Sequence, residues 1–456
     1  MPPDTELVFL EGAMAGRPST RYDELANTPV TQQVAQAHEA VKPDTVAKFL
    51  FTSGSTKLPK AVINTHGMLT CNQQMFLQCY PFLTGQPPVL VDWMPWHHTG
   101  AGNHNFGLVL YHGGSLYIDE GKPTVDGMAQ TISNLKEVAP TIYYSVPKGL
   151  EMLAQAMKTD LALRDRFFSR LCNLFPQGAA MSAPLKHTLD ELAVASCGMR
   201  IPMTASLGMT ETAPFALSAH LPDWQAGIIG TPPPGLDVKL VPQGDKLEVR
   251  YRGPSIMPGY WRQPELTAEA FDDEGFLCSG DAARFVDDNA REQGLRYDGR
   301  IAEDFKLASG TWVNVGALRQ RVIAAGAPHI HDIVLTGHDR DELGMLIFLL
   351  PTASSLATHT APNAGAAAIA GDPGVQAWAQ SLLDSLAENS AGSSQFIGRA
   401  MVLRDPPLMD LGEMTDKGSI NQRSVLKTRA ALVEQLYAAE PGSGTLLVRR
   451  SRIPAV

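Results

Sequence analysis

Between Val46 and about Ser206 the chain alternates short apolar runs (VAKFLF, VLVDWM, SLYI, TIYYSV and IPMTAS) with stretches of helical periodicity at 124–138, 148–158 and 183–196. Strands alternating with helices read as an α/β fold with a doubly wound sheet, whose ligands bind beyond the carboxyl ends of the strands. The segment after the first run therefore carries the most functional weight. It reads Leu-Phe-Thr-Ser-Gly-Ser-Thr-Lys-Leu-Pro-Lys-Ala-Val over 50–62.

Backbone N–H groups in a Gly-containing turn form a concave anion site. Around Gly54 the hydroxyls of Thr52, Ser53, Ser55 and Thr56 add donors, and Lys60 adds a compact positive charge. A polyphosphate is the ligand such a loop suits. GxxxxGK[ST] cannot be laid over it, so it is not a Walker loop, and by itself it also reads as a Ser/Thr-rich surface turn.

At 456 residues the chain exceeds what one core usually serves. Texture divides it. An α/β part spans 1–226. Gly/Pro-punctuated strands (DVKLV, KLEVRY, GFLCS, LRYDG) mark a β-rich subdomain over 227–301. A unit over 302–440 holds DIVLTG, GMLIFLL and helical stretches at 376–388 and 424–438, and 441–456 is a tail with too few core signals to place. The Ala/Gly/Pro/Thr-rich stretch 352–374 reads as an inserted, mobile loop. A net charge of −10 argues against nucleic acid or anionic membrane as the main partner. Five cysteines without a CxxC pair indicate neither a zinc site nor a disulfide framework, and fit a reduced, cytoplasmic setting. No apolar run approaches a membrane span or a signal sequence.

Further along lie FPQGAAMS (175–182), SLGMTETAP (206–214), GYWRQPELT (259–267), FLCSGDAARF (276–285) and YDGRIAEDFKLASGTWV (297–313). With the hydroxyl loop, their identity and order resemble the adenylate-forming acyl-CoA synthetases of the AMP-binding superfamily over roughly 46–425. GRIAEDFKLASGTWV and Asp-Lys-Gly-Ser-Ile-Asn-Gln-Arg (416–423) look most like feruloyl-CoA synthases, which activate hydroxycinnamic acids. The resemblance implies a large N-terminal domain of doubly wound sheets plus the β-rich subdomain, and a smaller mobile α+β C-terminal domain. It implies ATP, Mg²⁺ and CoA, and an acyl-AMP passed on to CoA. Another aromatic or medium-chain acid is the alternative substrate, and an inactive remnant the alternative to an enzyme.

The residues carried over suit that chemistry. Glu211 is expected at Mg²⁺, since a hard cation prefers oxygen ligands, with Thr210 on the phosphates. Asp281 is expected to accept both ribose hydroxyls, and Arg300 to reach ribose or phosphate. Gly178, Ala179 and Ala180 on one side and Ser206, Leu207 and Gly208 on the other would flank adenine. In VDWMPWHHTGAG (91–102) His97, with His98 close behind, is the expected gate of the acyl pocket, and Trp93 and Trp96 its core or wall. Rotation about a hinge at 302–304 would exchange Lys417, the adenylation lysine, for the loop at 309–313 with Gly310, which would line the pantetheine tunnel.

The pattern is broken in places. Lys57 and Ala61 stand where the family commonly has glycines, and Lys417 precedes Gly418 rather than following a glycine. Relatives carry a substantial segment before the phosphate loop, where this chain has about fifty residues. Much of one subdomain is expected to be absent, leaving apolar surface open and strand edges unpaired.

Overall fold

The computed structural model describes residues 5–12, 16–52, 59–177, 181, 183–220, 224–225, 227–361, 364–414, 420–442 and 444–449. Val89–Asp92 pairs in parallel with Ser115–Ile118, and Ile142–Ser145 with Asn173–Pro176. The Thr141 amide donates to the Val89 carbonyl at 3.0 Å and joins the two pairs, and Leu174 bridges in parallel to Met203. Side chains along these strands alternate between faces, as a period of two requires. Ile142, Tyr144 and Phe175 enter one core with Leu90, Phe76 and Phe215. Val91, Tyr143 and Leu174 enter another, with Leu150, Phe167 and Leu189 from the helices Pro147–Met157, Leu161–Phe168 and Ala183–Cys197. Apolar groups on both faces explain why these strands read as nearly continuous apolar runs.

The run at Val46–Thr52 departs from the expected pattern. It pairs antiparallel with Lys60–Thr65, placing Thr52 opposite Lys60, so the hydroxyl loop links a hairpin rather than a strand to a helix. A parallel return needs a crossover of about a dozen residues or more, and the interval between the two strands is shorter than that. Beyond the α/β part, Ile228–Gly230, Leu295–Arg300, Leu277–Phe285, Lys246–Arg252 and Asp237–Gln243 form, in that order, a 5-stranded antiparallel sheet.

Ile330–Thr336, Leu343–Leu349, Ile397–Val402 and Thr445–Leu447 form a 4-stranded sheet with its own two cores. Ile333, Leu335, Met345, Ile347 and Ala400 face one side, and Val334, Leu346, Phe348 and Met401 the other. The segment read as an unplaceable tail thus supplies an edge strand. The stretch read as a mobile loop holds a 3-10 turn, Pro351–Leu356, and a helix, Ala366–Gly371, closed over Ala353, Ile369 and Val375. Asp372 accepts from the amides of Thr358, His359 and Gly374 and ties its ends together. An Ala-rich run has high helix propensity, which the loop-like composition concealed.

Phe51 on the hairpin is 69% exposed, Ile118 on the strand Ser115–Ile118 68% and Leu110 on the helix Phe106–His112 67%. No helix among the described residues is long and apolar enough to cross a membrane.

Several contacts tie the β-rich sheet to the segment that follows it at 298–316. Lys246 Nζ lies 2.5 Å from Asp304 Oδ2, both side chains buried, and a Cβ on Gly316 would stand 2.6 Å from Gly299 Cα. In the C-terminal unit, Glu413 and Arg429 form a buried bidentate pair at 2.8 and 2.7 Å. Arg429 also donates to the carbonyls of Asp405 and Pro406. The Arg429 guanidinium holds the Glu413 carboxyl down to about 2. A depressed carboxyl pKa contributes stability above the ordinary glutamate range, and that contribution is lost as pH falls through the folded value. Glu413→Gln should cost ~3 kcal/mol at pH 7, because one charge of a buried pair is left alone. Hydrogen exchange of the Gln422–Thr428 amides should report that loss, and the difference from the parent protein should shrink between about pH 4.5 and pH 2.

Candidate functional site

The site assembles from segments that are distant in sequence. Lys60 opens the strand after the hydroxyl loop, directly across from Thr52. Thr210 and Glu211 lie in a 3-10 turn, Thr210–Thr212, reached from Ala205–Leu207 through Gly208. That strand pairs antiparallel with Leu217–Ala219, setting Leu207 opposite Leu217 and Ser206 opposite Ser218. Gly208 is required by close approach, since a Cβ there would stand 1.4 Å from the Pro214 carbonyl oxygen. The Asn72 amide holds the far side of the turn through the carbonyls of Thr212 and Phe215.

Glu211 is buried. Its carbonyl accepts from the Met257 amide at 2.9 Å, and its Oε1 accepts from the Tyr260 hydroxyl at 2.9 Å. Burial raises its carboxyl above the usual range, partly offset by the Tyr260 O–H and the nearby charges of Lys60 and Arg300. Lys60 Nζ sits 4.7 Å from the Tyr260 ring centroid. Arg300 stands opposite Asp281 in the antiparallel ladder, its Nε 3.3 Å from Asp281 Oδ1. The same oxygen accepts from the Tyr297 hydroxyl at 3.2 Å. Burial raises the Asp281 carboxyl, opposed first by the Arg300 charge. Gly280 turns the chain with a φ of 69°, a conformation few side chains adopt, and its amide donates to Glu248 Oε1.

Lys60, Glu211, Asp281 and Arg300 are therefore brought into one electrostatic neighbourhood. Among the described residues no group of three or more His, Cys, Asp or Glu side chains could hold a metal. A lone buried carboxylate beside cations suits Mg²⁺ in one mode only, with nucleotide phosphates and water supplying the remaining oxygens. Ser53, Gly54, Ser55, Thr56, Gly178, Ala179, Ala180 and Lys417 lie outside the described residues.

Of the two histidines considered as a gate, His97 is exposed. His98 turns inward: its Nδ1 accepts from the Gly100 amide at 3.0 Å. A Cβ on Gly100 would stand 3.2 Å from both that nitrogen and Gln177 Oε1. Gln177 donates to Asn105 Oδ1, while its own Oε1 is buried without a hydrogen-bond partner among the described residues. Trp93 and Trp96 line an open cleft with Asp92, Met94, Ile118 and Asp119. Gly310 lies away from these groups, in the turn between Phe305–Lys306 and Trp312–Val313, with a φ of 81°. Sequence reasoning passed over Tyr260, Tyr297 and Gln177. All three stood inside quoted motifs, and only their contacts single them out.

Residues 8–261 match the family described as AMP-binding enzyme, and residues 305–441 the AMP-binding enzyme C-terminal domain. A Mycobacterium tuberculosis protein named as a fatty-acid–CoA ligase, fadD11, is 27% identical over 450 residues, covering 88% of this chain and 75% of that protein. The feruloyl-CoA synthase of an Amycolatopsis species is 30% identical over 254 residues, but covers 53% of this chain and 47% of its own length. The long-chain-fatty-acid–CoA ligase of Salmonella typhimurium is 27% identical over 261 residues, covering 54% of this chain and 44% of that protein. The chain thus spans less than half the length of these last two. Among solved structures, the anthranilate CoA ligase AuaEII in complex with anthranoyl-AMP superposes with a TM-score of 0.69 at 20% identity, over 95% of this chain and 74% of that one. ATP-bound MatB from Rhodopseudomonas palustris superposes at 0.64 with 19% identity, over 91% and 76%. The fold is therefore that of the adenylate-forming enzymes, and the chain belongs to the AMP-binding enzyme family of acyl-CoA synthetases.

Proposed function

We propose that the chain is an ATP-dependent acid:CoA ligase that activates ferulate or a related hydroxycinnamate as the acyl-AMP and transfers the acyl group to CoA. The observation that carries the reading is the convergence of Lys60, Glu211, Asp281 and Arg300 from four separate segments. Attack of a carboxylate on the α-phosphorus of ATP concentrates negative charge there. Lys60 and Arg300 are the cations placed to meet it, Glu211 with Thr210 the group for a phosphate-bound Mg²⁺, and Asp281 the acceptor for ribose. Thr52 and the hydroxyl loop would cradle the phosphates, while Ser206, Leu207 and Gly208 would lie against adenine. His98 has the more enclosed position for a gate over the acyl group, with His97 at the surface beside it. Lys417 and the loop at Gly310 would serve the two half-reactions in turn. The choice of acid rests on the motifs and on similarity to a feruloyl-CoA synthase. Similarity to fatty-acid ligases is of the same order and supports a second reading, a fatty acid as substrate.

The test is pyrophosphate release by purified protein with MgATP across ferulate, other aromatic acids and medium- to long-chain fatty acids, followed by mass detection of the CoA thioester. Release confined to fatty acids would sink the hydroxycinnamate claim, and no release with any acid from folded protein would sink the ligase. Lys60→Ala and Glu211→Ala should each lower kcat/KM for pyrophosphate release by ~10²–10³, as expected for loss of a charge aimed at the transition state. Gly208→Ala should lower it by ~10² through displacement of the Glu211 turn, and should lower the melting temperature as well, because the new Cβ meets backbone at Pro214 that cannot move aside freely.

A further inference from the structure

The GYW segment contains a residue that touches both charged groups at the phosphate end of the site. The Tyr260 hydroxyl donates to Glu211 Oε1 at 2.9 Å, and its ring lies beneath the Lys60 ammonium. The backbone fixes Tyr260 independently of either charge. It bridges Val62, and its amide donates to Thr267 Oγ1 at 2.9 Å. The flanking bonds are Ile63 N–H to the Gly259 carbonyl and Trp261 N–H to the Ala61 carbonyl. Lys60 and Glu211 are close enough to influence each other, yet they form no direct ion pair among the described residues. Tyr260 engages each of them instead. A phenylalanine would fill the same core space, so what the hydroxyl adds is its bond to the carboxylate. Engaging Oε1 also limits rotation of that carboxylate and leaves Oε2 as the oxygen the phenol does not occupy.

We propose that Tyr260 is a positioning residue for nucleotide and cation. Its hydroxyl holds the Glu211 carboxylate in the orientation that takes a divalent cation, and its ring holds Lys60 off that carboxylate until a polyphosphate claims the ammonium. The proposal rests on the roles given to Lys60 and Glu211 under Proposed function. An ammonium on an aromatic face is held weakly enough to be released to phosphate, whereas a direct ion pair at the mouth of the site would have to be broken first.

The experiment uses the full chain. Mn²⁺ binding is titrated by electron paramagnetic resonance in the presence of ATP, and metal-free ATP binding is measured by calorimetry in EDTA. The parent protein is compared with Tyr260→Phe, Tyr260→Leu, Glu211→Gln and the Tyr260→Phe/Glu211→Gln double variant. Tyr260→Phe keeps the ring, so it should weaken ATP-dependent Mn²⁺ binding about tenfold while leaving metal-free ATP affinity and the melting temperature unchanged. In the Glu211→Gln background the same change should have no further effect, which a merely structural role would not produce. Tyr260→Leu should in addition weaken metal-free ATP binding severalfold, because Lys60 loses its support. Parent-like Mn²⁺ binding by Tyr260→Phe, or additive losses in the double variant, would overturn the inference alone. A parent protein that binds neither ATP nor ATP-dependent Mn²⁺ would overturn the reading of the site, and the inference with it.

Discussion

The site depends on the short segment 257–261, which joins the turn bearing Glu211 to the strand that Lys60 opens. The Met257 amide donates to the Glu211 carbonyl, Gly259 accepts from the Ile63 amide, Trp261 donates to the Ala61 carbonyl, and Tyr260 closes the circuit with its side chain. The distance between Lys60 and Glu211 is therefore set by main-chain geometry rather than by the attraction of the charges. Burying a carboxylate without compensation costs several kcal/mol, roughly the scale of a domain's whole stability margin. Tyr260, Lys60 and Arg300 offset that cost together. The buried charge is thereby kept inside a folded chain and available for chemistry.

The same logic reconciles an acidic protein with an anionic ligand. A net charge of −10 is spread over the whole surface, where water and salt screen it within about 10 Å. At the site the local balance is different: Lys60 and Arg300 flank two buried carboxylates. Low local polarizability makes those few charges count for more than the many outside.

Much of the architecture was legible because it follows from periodicity. Alternating faces and intervening helices account for Val89–Asp92, Ser115–Ile118 and Ile142–Ser145 as strands with parallel partners, whereas Asn173–Pro176, which pairs with the last of them, was not among the runs read from the sequence. What was not legible turned on pairing or on context. An apolar run carries the same signal whether its partner is parallel or antiparallel, so Val46–Thr52 was read into the wrong arrangement although the short interval to Lys60 argued for a hairpin. Thr445–Leu447 is too short to be recognised alone and becomes a strand because Ile397–Val402 offers it an open edge. Loop-like composition hid the Ala366–Gly371 helix, which ends at Asp372, whose carboxylate accepts from the Thr358 amide further back in the chain. At the site, Lys60 stood out through its place after the hydroxyl loop, and Glu211, Asp281 and Arg300 through the motifs that resemble those of the adenylate-forming enzymes. Tyr260 and Gln177 were missed because a tyrosine or glutamine in an apolar setting gives no sign of where its polar atom points.

The junction between the two units constrains how such a chain can move. Glu303 ends a 3-10 turn, Ile301–Glu303, and the next residue, Asp304, is tied on two sides, to Lys246 of the β-rich sheet and to the Val315 amide at the start of the following helix. Asn314 reaches back to Asp298 at 2.9 Å, and Gly299 and Gly316 pack backbone against backbone. Any second arrangement pivoting at 302–304 has to expose the Lys246–Asp304 pair to water and separate the two glycines. Hydration would compensate most of the charge separation, since both groups become solvated as they part. The glycine contact carries no such compensation beyond lost van der Waals attraction, which is small for so few atoms. The junction is therefore built from contacts that fix one geometry well and can be left at modest cost, unlike the Glu413–Arg429 pair, which keeps the C-terminal unit itself intact.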